Sequence, residues 1–195
     1  MEPLRAVDTA VTSRSRAFLL IKQRSFFRAR ITLASGKESD FYFDMKPSML
    51  HPEGARLIAE LILEKLAGMD VDYVGGVAVG AIPLLGPVAL LSLANGRGVP
   101  GFFVRKDVKD HGTRRKIDGL GPAETLAGRR VVILEDVTTT GGSAMIAVQA
   151  AQEAGAKVVM VLSVVDRQEG AADYYRARGI RFDSVFTAGE FLAVP

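Results

Sequence analysis

The sequence contains no cysteine, so a disulfide framework, a thiolate zinc site and a thiol nucleophile are all excluded. It has no internal repeat and no low-complexity linker. Neither sign of charge dominates: 25 lysines and arginines face 22 aspartates and glutamates, a formal net charge of +3. That excess is too small to indicate a nucleic-acid partner, so where the positive charge sits matters more than its sum. The first twenty residues carry Glu2, Arg5, Asp8, Arg14 and Arg16 and no long apolar run, which argues against a cleaved secretory signal. Uncharged sequence is long enough to raise the question of a membrane span only over 74–96. Gly75, Gly76, Gly80, Pro83, Gly86 and Pro87 interrupt that run. A buried strand, a glycine loop and a buried helix account for it better.

What is present describes one globular domain. The 195 residues are 48% hydrophobic and 24% charged, enough to enclose a core. Residues 10–24 read as an amphipathic helix. Residues 26–33 (FFRARITL) and 41–46 (FYFDMK) alternate as strands around a turn-rich ASGKESD, which predicts a small antiparallel hairpin. From residue 51 onward the pattern changes. Pro52 suits a first helical turn, and Leu57, Ile58, Leu61, Ile62 and Leu66 repeat at helical spacing. Strands are then expected at 71–77, 101–104, 131–134 and 158–165, with helices at 83–94, 144–154 and 171–178. Apolar strands separated by helices predict an α/β fold with a central parallel sheet covered on both faces. Ligands of such sheets bind at the carboxyl ends of the strands.

The most informative of these ends is VVILEDVTTTGGSA, 131–144. Two adjacent carboxylates, Glu135 and Asp136, precede Val137, Thr138, Thr139, Thr140, Gly141, Gly142 and Ser143, which lead into a helix. Small residues at a helix N-terminus let backbone N–H groups converge, and the helix dipole adds positive potential. Threonine hydroxyls supply further donors, so the turn suits a phosphate monoester. The run is neither a Walker A loop nor a GxGxxG turn. The carboxylate pair suits vicinal hydroxyls or a magnesium shell. An ordinary capped strand–turn–helix with incidental acids has the same pattern.

A second feature is the segment RKDVKDHGTRRKIDG, 105–119. Arg105, Lys106, Lys109, Arg114, Arg115 and Lys116, with His111, outnumber Asp107 and Asp110. Clustered cations of this kind stabilise a departing diphosphate. A solvated charged loop and a nucleic-acid patch are the other readings, although aromatics do not interleave the cations and no helix-turn-helix pattern is present.

The acidic pair followed by threonines and glycines resembles the phosphoribosyl pyrophosphate (PRPP) signature of type I phosphoribosyltransferases. The string RKDVKDHGT followed by IDG resembles the catalytic loop of the orotate phosphoribosyltransferase family, and VVDRQEG resembles its orotate-holding segment. The resemblance runs by motif over about 26–170. It implies a type I phosphoribosyltransferase fold: a parallel sheet flanked by helices, a small N-terminal helix and hood over 1–50, and a core over 51–195 within the same domain. It implies transfer of the 5-phosphoribosyl group from PRPP to orotate, with Mg2+ carried mainly by PRPP. It also implies a cytoplasmic homodimer whose basic loop reaches the neighbouring site, with no nucleic-acid or membrane partner.

By the same resemblance Arg105, Lys106, Lys109 and His111 contact the pyrophosphate. Lys109, His111 and Asp136 carry catalysis, and residues 135–143 hold PRPP. Thr139 and Arg167 bind orotate, and Tyr42, Phe43 and Lys46 lie near the substrates. Gly75, Gly76 and Gly80 fit a loop facing the pyrophosphate, or simple strand-to-helix punctuation. Two positions depart from some bacterial relatives, Ala34 and Val79–Gly80, and PRPP contacts from those loops are not carried over. A phosphoribosyltransferase for another base and a PRPP-sensing regulator are the alternatives.

Overall fold

The computed structural model describes residues 12–32, 38–106 and 116–194. The first helix, α1 (Ser13–Arg24), starts where the Thr12 hydroxyl accepts the Ser15 N–H, and it ends with Lys22 and Arg24 in its last turn, the charge its dipole favours. Strands β1 (Phe26–Thr32) and β2 (Glu38–Phe43) pair antiparallel, as their alternation predicts. Lys46, expected at the end of the second strand, instead opens the short helix α2 (Lys46–Met49). Pro47, in the first turn of that helix, lacks the N–H that a strand ladder would use. Helix α3 (Pro52–Lys65) follows, with Pro52 in its first turn.

The main sheet is built from β3 (Tyr73–Val77), β4 (Gly101–Val104), β5 (Ile117–Asp118), β6 (Arg130–Thr138), β7 (Lys157–Asp166) and β8 (Phe182–Thr187), in the order β5-β4-β3-β6-β7-β8. All neighbours are parallel except β4 and β5. The sheet is therefore mixed rather than parallel throughout. Two residues are too few to announce β5 by alternation, which is why its polar surroundings read as loop.

Helices α3 and α4 (Ile82–Ala94) cover one face. There Leu57, Ile58, Leu84 and Val88 pack with Val132 and Leu134 of β6 and Leu162 and Val164 of β7. Helices α5 (Gly142–Glu153) and α6 (Ala171–Arg176) cover the other, where Ala147, Val148 and Tyr175 meet Val131 and Ile133. Because both faces of β6 are covered, its apolar run does not alternate with polar residues. All four residues 131–134 are fully buried, each worth about 2 kcal/mol relative to exposure. The N-terminal elements share this core: Ala17 and Ile21 of α1 and Met49 of α2 pack with α3. The last helix, α7 (Ala188–Leu192), carries a capping box from Thr187 and Glu190. Its Phe191 stacks with Phe18 and meets Phe26 and Phe43, seating the hairpin.

Helix α4 is only partly buried. Leu84, Leu85 and Val88 point into the core, whereas Leu90 and Leu93 are each 68% exposed. None of the described helices is long and apolar enough to cross a membrane.

Candidate active site at the carboxyl ends of β6 and β7

Strand β6 runs four residues beyond the expected end at Leu134, through Thr138, so Glu135 and Asp136 lie within a central strand, Glu135 opposite Ser163, rather than in a loop. Glu135 is 8% exposed. Burial, then the neighbouring Asp136 charge, pushes its carboxyl up to about 8, against opposing effects of Lys106 and the Ser143 hydroxyl. Burial also raises Asp136, while the Val137 N–H, donated to Asp136 Oδ1 at 2.9 Å, and the Lys46 charge favour its ionised form. Neither of these adjacent carboxyls is ion-paired among the described residues, so both keep lone pairs for a ligand.

The following turn is open. Thr140, Gly142 and Ser143 are exposed. Gly141 sits at φ +90° as N-cap of α5 and offers no side-chain cap, so the first N–H groups of that 12-residue helix have no partner from the cap residue. Tyr175, fully buried, donates its hydroxyl to Gly141 O at 2.8 Å and braces the turn from below. Thr138 is 2% exposed, yet its Oγ1 has no hydrogen-bond partner. A buried hydroxyl without a partner costs about 1–3 kcal/mol, and an anion seated in the turn would remove that cost.

The loop between β3 and α4 approaches the same carboxylates. A Cβ on Gly80 would lie 2.9 Å from Asp136 Oδ1, so the backbone passes directly over that side chain. Gly75 and Gly76, by contrast, are in β3 and serve packing. A Cβ on Gly75 would be 2.1 Å from the Phe102 ring, and one on Gly76 would be 2.5 Å from Leu134 O. Lys46, ion-paired to Asp44 at 2.6 Å, also senses Asp136. The expected PRPP residues 135–143, Gly80 and Lys46 thus converge on one spot.

Arg167 lies at the end of the neighbouring strand. Its backbone N–H donates to Thr138 O at 2.9 Å, which joins its position to the turn. Its side chain is 3% exposed. Nε donates to Glu169 Oε1 at 2.7 Å, Nη2 to Ser39 Oγ at 2.9 Å and Nη1 to Phe41 O at 3.4 Å, and the guanidinium lies 4.4 Å from the centre of the Phe41 ring. The hairpin therefore roofs this arginine. Sequence reasoning pointed to Tyr42 and Phe43, and the residues against Arg167 are Ser39 and Phe41. Tyr42 stacks on Phe27 on the opposite face of the hairpin, and Phe43 joins the aromatic cluster around Phe191. The period-two alternation of β2, with its register, would have separated Phe41 from Tyr42.

At the other edge, Arg105 is paired with Asp118, and its N–H donates to Lys116 O at 3.0 Å. Lys106 is described and exposed. Lys109, His111 and Ala34 lie outside the described residues.

Among the described residues no group of three or more histidine, aspartate or glutamate side chains is placed to hold a metal ion. The adjacent carboxylates of Glu135 and Asp136 instead fit a hard cation that arrives with oxygen ligands of its own.

Comparison with known proteins agrees with this geometry. Residues 48–182 match the phosphoribosyl transferase domain. The chain is 54% identical over 180 residues to the orotate phosphoribosyltransferase of Bradyrhizobium diazoefficiens, covering 92% of this chain and 96% of that protein. It superposes on the crystal structure of Mycobacterium tuberculosis orotate phosphoribosyltransferase in complex with Fe(III) dicitrate with a TM-score of 0.79 at 38% identity, over 92% of this chain and 99% of that one. The same enzyme in complex with PRPP gives 0.75 at 36% identity, over 92% and 99%. With its open threonine-glycine turn behind a buried carboxylate pair, the chain belongs to the phosphoribosyltransferase family, among the orotate phosphoribosyltransferases.

Proposed function

We infer that the protein transfers the 5-phosphoribosyl group of PRPP to orotate, giving orotidine 5′-monophosphate and pyrophosphate in pyrimidine nucleotide synthesis. The observation that carries this reading is the hydrogen bond between Arg167 N and Thr138 O. It couples an arginine suited to a ring carboxylate to a turn suited to a sugar phosphate.

In this reading the N–H groups and hydroxyls of 138–143 receive the 5-phosphate, and Glu135 and Asp136 accept from the 2- and 3-hydroxyls of the ribose. Glu135 must release its proton to accept both ways, which ribose binding and a nearby cation favour. Arg167 receives the orotate carboxylate, for which the guanidinium fork is suited, with Thr139 beside it. Orotate is already anionic, so its ring nitrogen attacks the anomeric carbon without a strong base. The bond from that carbon to the pyrophosphate oxygen breaks with inversion. Catalysis is then mostly positioning and charge stabilisation.

Magnesium supplies charge neutralisation of the leaving diphosphate when it is bound with PRPP. Arg105, Lys106, Lys109 and His111 are assigned to the same diphosphate by their resemblance to the family's catalytic loop. The exposed Leu90 and Leu93 of α4 support a homodimer, in which the basic segment serves the neighbouring site. A cytoplasmic enzyme with a hood over 1–50 and a core over 51–195 completes the proposal.

The test is orotate consumption, followed by ultraviolet absorbance with PRPP and magnesium present. Loss of the orotate band dependent on both is expected. Folded protein that leaves orotate untouched and turns over a purine base would overturn the assignment.

A further inference from the structure

The base site contains a carboxylate that the transfer reaction does not use. Glu169 is two residues beyond Arg167 and holds its Nε at 2.7 Å. The backbone between them is unusual. Gln168 has φ +63°, the single positive φ outside glycine among the described residues. An L side chain adopts that conformation at a cost of about 1–2 kcal/mol. The turn is fixed on both sides: Gln168 N donates to Asp166 Oδ1 at 2.9 Å, and Gln168 Oε1 accepts from Gly189 N at 3.2 Å. Its result is that residues 167 and 169 meet at one place, one as cation and the other as anion.

Arg167 has five N–H donors. Three are committed, to Glu169, Ser39 and Phe41. Two remain, one on each terminal nitrogen. Glu169 thus neutralises a guanidinium that is 3% exposed without exhausting its donors. An unpaired buried cation would be strongly destabilising, so the ligand-free site needs this partner.

We propose that Glu169 is the resident counter-ion of the base site and sets how tightly a carboxylate-bearing base or nucleotide is held there. The inference rests on the assignment of Arg167 to orotate. When orotate arrives, its carboxylate shares one guanidinium with that of Glu169. Glu169 already draws on the charge of that guanidinium, so orotate competes with it and binds less tightly than it would to the arginine alone. The same competition acts on the product, which keeps the ring carboxylate, and speeds its departure. Glu169 touches neither the anomeric carbon nor the diphosphate in this scheme, so it is a residue that acts through Arg167.

The experiment compares Glu169→Gln, Glu169→Asp, Arg167→Ala and the double variant Arg167→Ala/Glu169→Gln by calorimetric titration with orotate and with orotidine 5′-monophosphate, alongside steady-state KM values for both substrates. Glutamine keeps the shape and can still accept the Nε–H but carries no charge. Glu169→Gln is expected to tighten orotate and the product by about tenfold, the size of one competing charge removed from beside the guanidinium, with KM for PRPP unchanged. Glu169→Asp keeps the charge and should bind orotate as the parent does. In the Arg167→Ala background the glutamine substitution should have no further effect.

Weaker or unchanged orotate binding in folded Glu169→Gln overturns the proposal, because a merely structural role would not tighten a ligand. Tightening that persists without Arg167 overturns it as well. If Arg167→Ala itself leaves orotate binding intact, the assignment of Arg167 fails instead, and the two failures are distinct.

Discussion

Replacing Glu135 with glutamine should make the ligand-free protein more stable and deprive it of PRPP. Glu135 sits at the end of a central strand, 8% exposed and beside Asp136. Its carboxyl is raised from 4.5 to about 8, chiefly because burial penalises the ionised form. Between those two values the folded chain keeps a proton that the unfolded chain has released. Unfolding therefore becomes easier as pH rises through that window. At pH 7 the distance from 4.5 is about 2.5 pH units, which at 1.36 kcal/mol each amounts to about 3 kcal/mol. Glutamine has the same shape and does not titrate.

Urea unfolding of both proteins at pH 5, 6, 7 and 8 checks this. The advantage of Glu135→Gln should be about 1 kcal/mol or less at pH 5 and should widen to about 3 kcal/mol at pH 7. PRPP affinity should fall in the same variant, since an amide offers one acceptor oxygen where a carboxylate offers two. A stability difference that stays flat from pH 5 to 8 would refute the reasoning, and so would a variant that binds PRPP normally.

Two further outcomes follow from the same site. Gly141→Ala places a Cβ 3.0 Å from the Tyr174 and Tyr175 rings at φ +90°; thermal unfolding should show a loss of about 1–2 kcal/mol from the backbone alone, and an unchanged melting temperature would contradict the turn geometry. Lys109→Ala, chosen on the basic pattern of 105–119, should lower kcat far more than it raises KM for PRPP; equal changes in both would argue against a role confined to the transition state.

Much of the fold was readable because its signals are strong and local. The uninterrupted apolar runs that became β6 and β7 announced a sheet covered on both sides. Pro52 and the leucine spacing announced α3 and its first turn. The acidic pair, the threonine-glycine turn and Arg167 were legible as neighbours at the carboxyl ends of two buried strands, which is where the structure places them. What escaped has physical reasons. Strand β5 is two residues long and exists because β4 offers it an edge, which no periodicity records. The continuation of β6 through Val137 and Thr138 carries the ladder past the two carboxylates, where the threonine-glycine run argues for a turn. The roles of Ser39, Phe41 and Glu169 depend on how a distant hairpin lands on Arg167, a long-range contact that local sequence does not encode. The exposed leucines of α4 read as core because an apolar helix surface looks the same whether it faces a sheet or another surface.

The small strand β5 has a consequence for how the sequence can vary. It pins Lys116 to Arg105, and the Arg105–Asp118 pair adds a second fastening. The intervening stretch therefore departs from and returns to a single clasp at the sheet's border. Residues gained or lost between the two fastened ends would change only the length of a closed excursion, at a cost that grows slowly with chain length. The rest of the sheet would register none of it, so the length between these two ends can vary without disturbing β6 and β7.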